Sequence, residues 1–266
     1  MTVCIGAICD AGKAIVVAAD RMMTFGAPMN LQAEGAVRKI IPLADNVVLL
    51  FSGAVPDAEA LAQSARASAK DGASNLRQIA DATAAGYQAL KRNKVEDSIL
   101  RPLLGIEFPQ FQQLASQSAS SQVLSQLLGM ISQHNLGLDA IIAGIDDEHA
   151  HLSVVTHPGT IVPLDLVGFS AIGSGGMHAL VRLSLGRQRK ELSVPETIFN
   201  IYEAKKASEV APGVGKVTDI AVLKGKTVHF LKEDVFDVLD AIDREKPPLA
   251  PDDLKKLTAA YGGEAS

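Results

Sequence analysis

The 266-residue chain is 47% hydrophobic and 21% charged, which excludes disorder and collagen-like repeats, and its length suffices to bury roughly three quarters of the unfolded surface. A net charge of −5, no tryptophan and three tyrosines offer neither a basic field for phosphates nor an aromatic surface for bases, so nucleic acid is excluded as a partner. Apolar runs such as residues 14–19 are too short to cross a bilayer, Cys4 and Cys9 are too few for a disulfide framework, and no signal peptide is recognisable, so the expectation is a soluble cytoplasmic protein.

Residues 2–8 and 14–19 are Val- and Ile-rich runs joined by Asp10-Ala11-Gly12-Lys13, and they predict a hairpin of buried strands. A loop with Gly26, Pro28 and Gly35 follows, then strands over 37–43 and 47–51 around Asp45-Asn46. Ser52-Gly53 ends the sheet pattern. Pro56 opens a helix that runs to residue 70, and Leu76, Ile79, Ala80, Thr83, Tyr87 and Leu90 recur at helical spacing over 75–93. Pro102, Gly105 and Pro109 make 101–110 a connection. The returning Val123, Leu124, Leu127, Leu128 and Ile131 then predict one amphipathic helix over 111–133, despite its Gln- and Ser-rich stretch.

Strands resume over 138–145 and 151–156 around Asp146-Asp147-Glu148, and a further one over 167–172 leads into Gly173-Ser174-Gly175-Gly176. Helices over 177–185 and 194–209 and strands over 218–223 and 227–231 follow. Val235, Leu239 and Ile242 mark a short acidic helix before Pro247-Pro248. The domain reading is a body over 1–232 and an acidic helical appendix over 233–266. Paired strands joined by tight turns, with helices grouped between them, predict an α+β protein with two antiparallel sheets covered by helices.

Chemistry concentrates at the beginning of the chain. Thr2 is small enough for an aminopeptidase to remove Met1, which leaves a hydroxyl beside a free α-amine whose ordinary pKa is about 7.7 to 8.0. Such a residue carries its own base. Position two is threonine in many chains, so its neighbours decide. Asp20 closes an apolar run, where it either accepts turn hydrogen bonds or pairs with a cation. Lys39 sits in an apolar strand after Gly35, an unusual place for a solvated lysine. Ser174 lies among glycines whose backbone donors suit an anion or a carbonyl, although a plain helix cap explains the same pattern. The loop lacks the Lys-Ser/Thr ending of a nucleotide-binding loop.

Thr2-Val3-Cys4-Ile5-Gly6, the run 14–19 ending in Asp20-Arg21, Val37-Arg38-Lys39-Ile40 and Ser52-Gly53 before a helix with Asp57 resemble, in order and spacing, the start of proteasome β subunits and the bacterial HslV peptidase. Residues 140–146, 171–176 and 218–222 resemble the family's later strand, its Gly-Ser-Gly loop and its last strand on the catalytic side. The likeness implies an N-terminal-nucleophile hydrolase with a four-layer αββα sandwich. It maps Thr2 onto the nucleophile, Asp20 and Lys39 onto the acid and the lysine beside it, Gly53 onto the oxyanion donor and Ser174 onto the loop serine. Near the end it frays: Glu209 takes the place of the family's acid near the amine, and Pro212 stands where a serine is expected. Extra length around 91–113 is a second departure. With Met1 directly before Thr2, maturation is expected to need only an aminopeptidase.

The resulting expectation is a threonine endopeptidase with no cofactor, acting on peptide or protein substrates. The resemblance also implies a homo-oligomer, a ring among the options, with an ATP-driven unfoldase as supplier of substrate. Two readings stay open beside it: a non-catalytic scaffold subunit of the α type, and an amidohydrolase or transpeptidase acting on a small amide. His149 and His151 share a strand face without a third ligand and read as turn residues rather than a metal site. No Gly-x-Ser-x-Gly elbow is present, and Cys4 and Cys9 read as small buried hydrophobes.

Overall fold

A computed structural model describes residues 2–25, 31–35, 37–70, 75–117, 122–146 and 149–245. Met1, Gly26, Pro28, Asp147, Glu148, Pro247 and Pro248, with the rest of the expected appendix, lie outside the described residues. The chain divides into two compact units, Met1–Leu231 and Lys232–Ser266.

The first unit begins with strands β1 (Cys4–Cys9), β2 (Ala14–Asp20), β3 (Met22–Phe25), β4 (Leu31–Glu34), β5 (Ile40–Ala44) and β6 (Val47–Ser52). Helices α1 (Val55–Lys70), α2 (Leu76–Val95), α3 (Arg101–Leu104), α4 (Phe108–Gln117) and α5 (Gln122–Gln133) follow. Next come β7 (Asp139–Asp146), β8 (His149–Thr156), β9 (Thr160–Pro163), β10 (Phe169–Ile172), α6 (Gly176–Leu185), α7 (Val194–Ser208), β11 (Thr218–Lys224) and β12 (Thr227–Phe230). The described part of the second unit holds one helix, α8 (Glu233–Arg244), with Glu233 and Asp234 in its first turn and Arg244 in its last, the charge order that the helix dipole favours.

Two five-stranded antiparallel sheets form the centre, ordered β10-β1-β2-β11-β12 and β5-β6-β7-β8-β9. Strands β1, β2, β6 and β7 are buried on both faces, which is why the sequence shows continuous apolar runs there instead of alternation. Inner-face residues Cys4, Ile8, Ile15 and Val17 meet Ile40, Leu50, Ile141 and Leu152 of the other sheet. The sheets come close at Gly6, where an added Cβ would stand 3.0 Å from Leu152 Cδ1. On the far side of the second sheet, Leu49, Phe51 and Ile142 pack against Leu61, Ile79 and Tyr87 of α1 and α2. Helices α6 and α7 pack together on β1, β2 and β10 of the first sheet. The layers are therefore helix, sheet, sheet, helix: the expected αββα sandwich.

Four local expectations are corrected. The loop after β2 contains a separate two-stranded sheet, β3 with β4, paired from Met22↔Glu34 to Phe25↔Leu31. Residues 101–104 are helical, because α2 runs on through a widened π turn at Glu96–Leu100 into α3 and ends only at left-handed Gly105. Such a turn tolerates the missing N–H of Pro102. The helix expected from residue 111 starts earlier, at Phe108 in α4, and the described residues are helical again in α5, with residues 118–121 outside the described residues. Finally, β9 is a four-residue edge strand ending at Pro163, in the position where a sheet accepts proline.

At Gly144 on β7 the close packing of α2 leaves no room for a side chain: an added Cβ would lie 2.5 Å from Leu76 Cδ2 and 3.1 Å from the Asn46 carbonyl. We expect Gly144→Val to destabilise the protein by about 2 kcal/mol through overpacking. The measurement is urea unfolding, with a lowered midpoint and an unchanged slope.

Candidate active site

Strand pairing brings the sequence-selected residues to one end of the two sheets. Thr2 immediately precedes β1, and Asp20 ends the neighbouring β2, its backbone N–H bonded to the Val3 carbonyl at 3.2 Å. Lys39 immediately precedes β5 in the opposite sheet, and Ser52-Gly53 follows from β6 beside it. The Gly173-Ser174 turn leaves β10, which pairs with β1 on its other edge.

Within this corner Thr2 is 2%, Asp20 0% and Lys39 4% exposed. Lys39 Nζ donates to Thr2 Oγ1, and Thr2 Oγ1 donates to Asp20 Oδ1. The Lys39 ammonium also donates to both Asp20 oxygens at 3.0 Å. Backbone N–H groups of Val3 and Met22 complete the carboxylate's partners at 2.9 Å each, together with that of Gly215 at 3.1 Å. A buried carboxylate held this way cannot rotate without losing several bonds at once, so the ammonium it pairs with is fixed in direction.

Ser174 joins the nucleophile candidate from the third side. Its Oγ accepts from Thr2 N at 3.1 Å, while Gly175 N donates to the Thr2 carbonyl at 3.1 Å. Gly173 has φ +88°, and a Cβ there would stand 2.4 Å from Thr2 O, so only glycine lets the turn approach this closely. Gly53 has φ +141°, and its Cβ would collide with the Gly137 carbonyl at 2.7 Å. Thr2, Lys39 and Gly53 together line a cleft of about 520 Å³, otherwise walled by Met22, Met23, Phe25, Phe51, Val55 and Pro56 among others.

Glu209 is not brought to Thr2. Its carboxylate accepts from Lys205 Nζ at 2.6 Å, and no hydrogen bond links it to Thr2 among the described residues. Ser208, one residue earlier, donates to the Ala204 carbonyl within its own helix. What the stretch after α7 does supply is two backbone amides, Gly215 N on Asp20 and Val217 N, which donates to Glu34 of β4 at 2.6 Å. Neither was visible as a motif: a backbone donor leaves no side-chain signature, and a second glycine two positions after Gly213 is its only trace.

The αββα sandwich thus carries, just before its first strand, a threonine between a buried lysine and a buried aspartate. Residues 2–86, roughly a third of the chain, match the model of the family described as proteasome subunit, in agreement with the resemblance drawn from the sequence. No curated protein matches the chain. Among the described residues no helix is long and apolar enough to cross a membrane.

His151 has a role apart from this corner. His151 bridges Asp146, from Nε2 at 2.6 Å, and Asp165, from Nδ1 at 2.7 Å. Those carboxylates also accept from Leu76 N at the start of α2 and from Leu152 N. Partial burial opposes the charged ring, but the hydrogen bond to Asp165 and the two carboxylate charges outweigh it and raise the pKa above the ordinary histidine value. A raised folded-state pKa means that this clamp contributes fully below the unfolded value of about 6.5 and is lost as pH rises through the folded value. We therefore expect wild-type stability to fall from about pH 6.5 upward relative to His151→Asn, as read from urea midpoints of both proteins at pH 6 and pH 9.

Proposed function

We propose that the chain is a proteasome-like threonine endopeptidase whose nucleophile is Thr2 after loss of Met1. The observation that carries this reading is the Thr2 hydroxyl held between Lys39 and Asp20 where a buried corner opens onto an apolar cleft. In the first step Thr2 Oγ1 attacks the peptide carbonyl, and its proton passes to the terminal α-amine directly or through one water. The Lys39 ammonium stabilises the charge gathering on the hydroxyl oxygen, and Asp20 fixes its direction. The carbonyl oxygen becomes an oxyanion facing the Gly53 N–H, and Ser174 Oγ holds the amine of Thr2.

As the tetrahedral species collapses, the amine returns the proton to the departing peptide nitrogen, leaving an ester on Thr2. Water, deprotonated by the same amine, then cleaves the ester and restores the hydroxyl. These steps need no cofactor. Glu209 stands outside them, holding Lys205. The methionine and phenylalanine walls of the cleft favour an apolar side chain on the acyl side of the cleaved bond. Proteasome-family subunits assemble into oligomeric rings, and the same reading makes this chain a subunit of a cytoplasmic homo-oligomer, with an ATP-driven unfoldase delivering its substrates.

Intact mass of the purified protein should show one methionine missing, and a β-lactone or epoxyketone probe should label Thr2 and fail to label Thr2→Ala. Lys39→Met should slow peptide turnover on the order of 10²–10⁴-fold. Peptides with leucine or phenylalanine on the acyl side should outrun those with glutamate or arginine. Retained Met1, or processed protein without an adduct, would count against a threonine enzyme and for a scaffold subunit. Turnover confined to small amides would select an amidohydrolase.

A further inference from the structure

Lys205 lies in the last turn of α7 and is 1% exposed, among the largest fully buried side chains of the described residues. Lysines at helix ends ordinarily serve the last carbonyls from the surface. This one turns inward. Its Nζ donates at 2.6 Å to Glu209 Oε1 and at 2.6 Å to the carbonyl of Lys216, on the far side of the turn that follows the helix. Burial lowers its pKa from the ordinary lysine value, opposed by the hydrogen bond and charge of Glu209 and by the charges of Asp20 and Glu34. The ammonium is thus within electrical reach of the aspartate that organises the threonine corner.

The turn it grips is the one that touches that aspartate. One residue before the held carbonyl, Gly215 donates its N–H to Asp20 Oδ2 at 3.1 Å. One residue after it, Val217 donates to Glu34 at 2.6 Å and accepts from Arg21 N at 3.0 Å. Gly215 has no slack in this place: an added Cβ would stand 2.6 Å from Glu34 Oε1 and 2.9 Å from Met22 Cβ. A shift of the Lys216 carbonyl therefore displaces the Gly215 amide, and with it one of the bonds that orient Asp20.

We propose that Lys205 is a positioning residue for the threonine site: its hold on the Lys216 carbonyl fixes the 209–217 turn, which aims the Gly215 N–H at Asp20 and so sets the carboxylate that directs Lys39 and Thr2. The kinetic half of this inference rests on the threonine-peptidase reading; the structural half does not. Glu209 gains a place in it, as the counter-charge that lets the ammonium stay buried.

The test compares the full-length processed protein with Lys205→Met, which keeps the bulk and removes every donor, and Lys205→Gln, which keeps an amide donor for the carbonyl. Amide hydrogen exchange over 209–217 should speed up on the order of tenfold in Lys205→Met, with the central strands unchanged. On a fluorogenic peptide with an apolar acyl-side residue, kcat should fall about tenfold with KM within about twofold of wild type. Lys205→Gln should recover part of both losses. Unchanged exchange and kcat in Lys205→Met, a loss carried by KM, or a Gln variant no better than Met overturns the proposal. Should Lys205→Met not fold, Lys205→Gln decides on the same two readouts: faster exchange together with a lowered kcat supports the proposal, and wild-type values overturn it. If wild-type protein neither turns over peptide nor takes the probe, the peptidase reading fails by itself, and exchange over 209–217 still decides whether Lys205 holds the turn.

Discussion

The fold and the site meet in one interaction, the buried pair of Asp20 and Lys39. Asp20 ends a strand of the first sheet and Lys39 enters the first strand of the second, so the pair is an ionic cross-tie between layers that otherwise touch through apolar side chains. Two charges withdrawn from water are tolerated only while each answers the other and the remaining lone pairs and protons are satisfied. The corner meets that condition with backbone donors from Val3, Met22 and Gly215 and with the hydroxyl of Thr2. The threonine is thus a member of the network that makes the buried pair acceptable, and its orientation follows from the same constraint that closes the sandwich.

This explains why two nucleophile types near one lysine are so differently disposed. The Cys4 thiol lies within the field of Lys39, yet complete burial raises its pKa far above the ordinary value, more than Lys39 lowers it, and its proton is directed at the Phe51 carbonyl. A thiol in that state is an inert filler between sheets. The Thr2 hydroxyl, two residues earlier and before strand β1 begins, belongs to a residue that lines the cleft. Both residues are buried, and contact with the cleft, rather than fractional exposure, separates them.

The central strands were legible because burial on both faces writes itself as unbroken apolar runs, as in Ala14–Asp20 and Asp139–Asp146. Asp20 was legible as a polar residue closing such a run, and Lys39 as a lysine in a stretch expected to be an apolar strand, although that strand starts only at Ile40. The edge strand Thr160–Pro163 and the small sheet of β3 and β4 were not, since short, half-exposed strands bounded by proline or glycine share their composition with loops. Lys205 was hidden for the opposite reason: on a helix a lysine looks like surface, and only the tertiary fold shows it turned inward. Glu209 looked like an anchor for the amine because it stands where an acid is wanted in sequence; one turn of α7 gives it to Lys205 instead.

The boundary of the family match has a structural counterpart. Residues 2–86 run from β1 into α2 and carry Thr2, Asp20, Lys39 and Gly53. Beyond them the helical extension builds a core of its own from Val95, Ile99, Leu100, Phe111 and Leu127, separate from the cores that hold the sheets. A segment with an independent core can change in length and sequence without disturbing the sheet ends, whereas Ser174 and Gly215, also beyond the match, act on Thr2 and Asp20 directly. Sequence freedom in this chain therefore depends on whether a residue's hydrogen bonds reach the Asp20 carboxylate and its neighbours, and the late residues that do reach it contribute a hydroxyl and a backbone amide, groups that many sequences can provide.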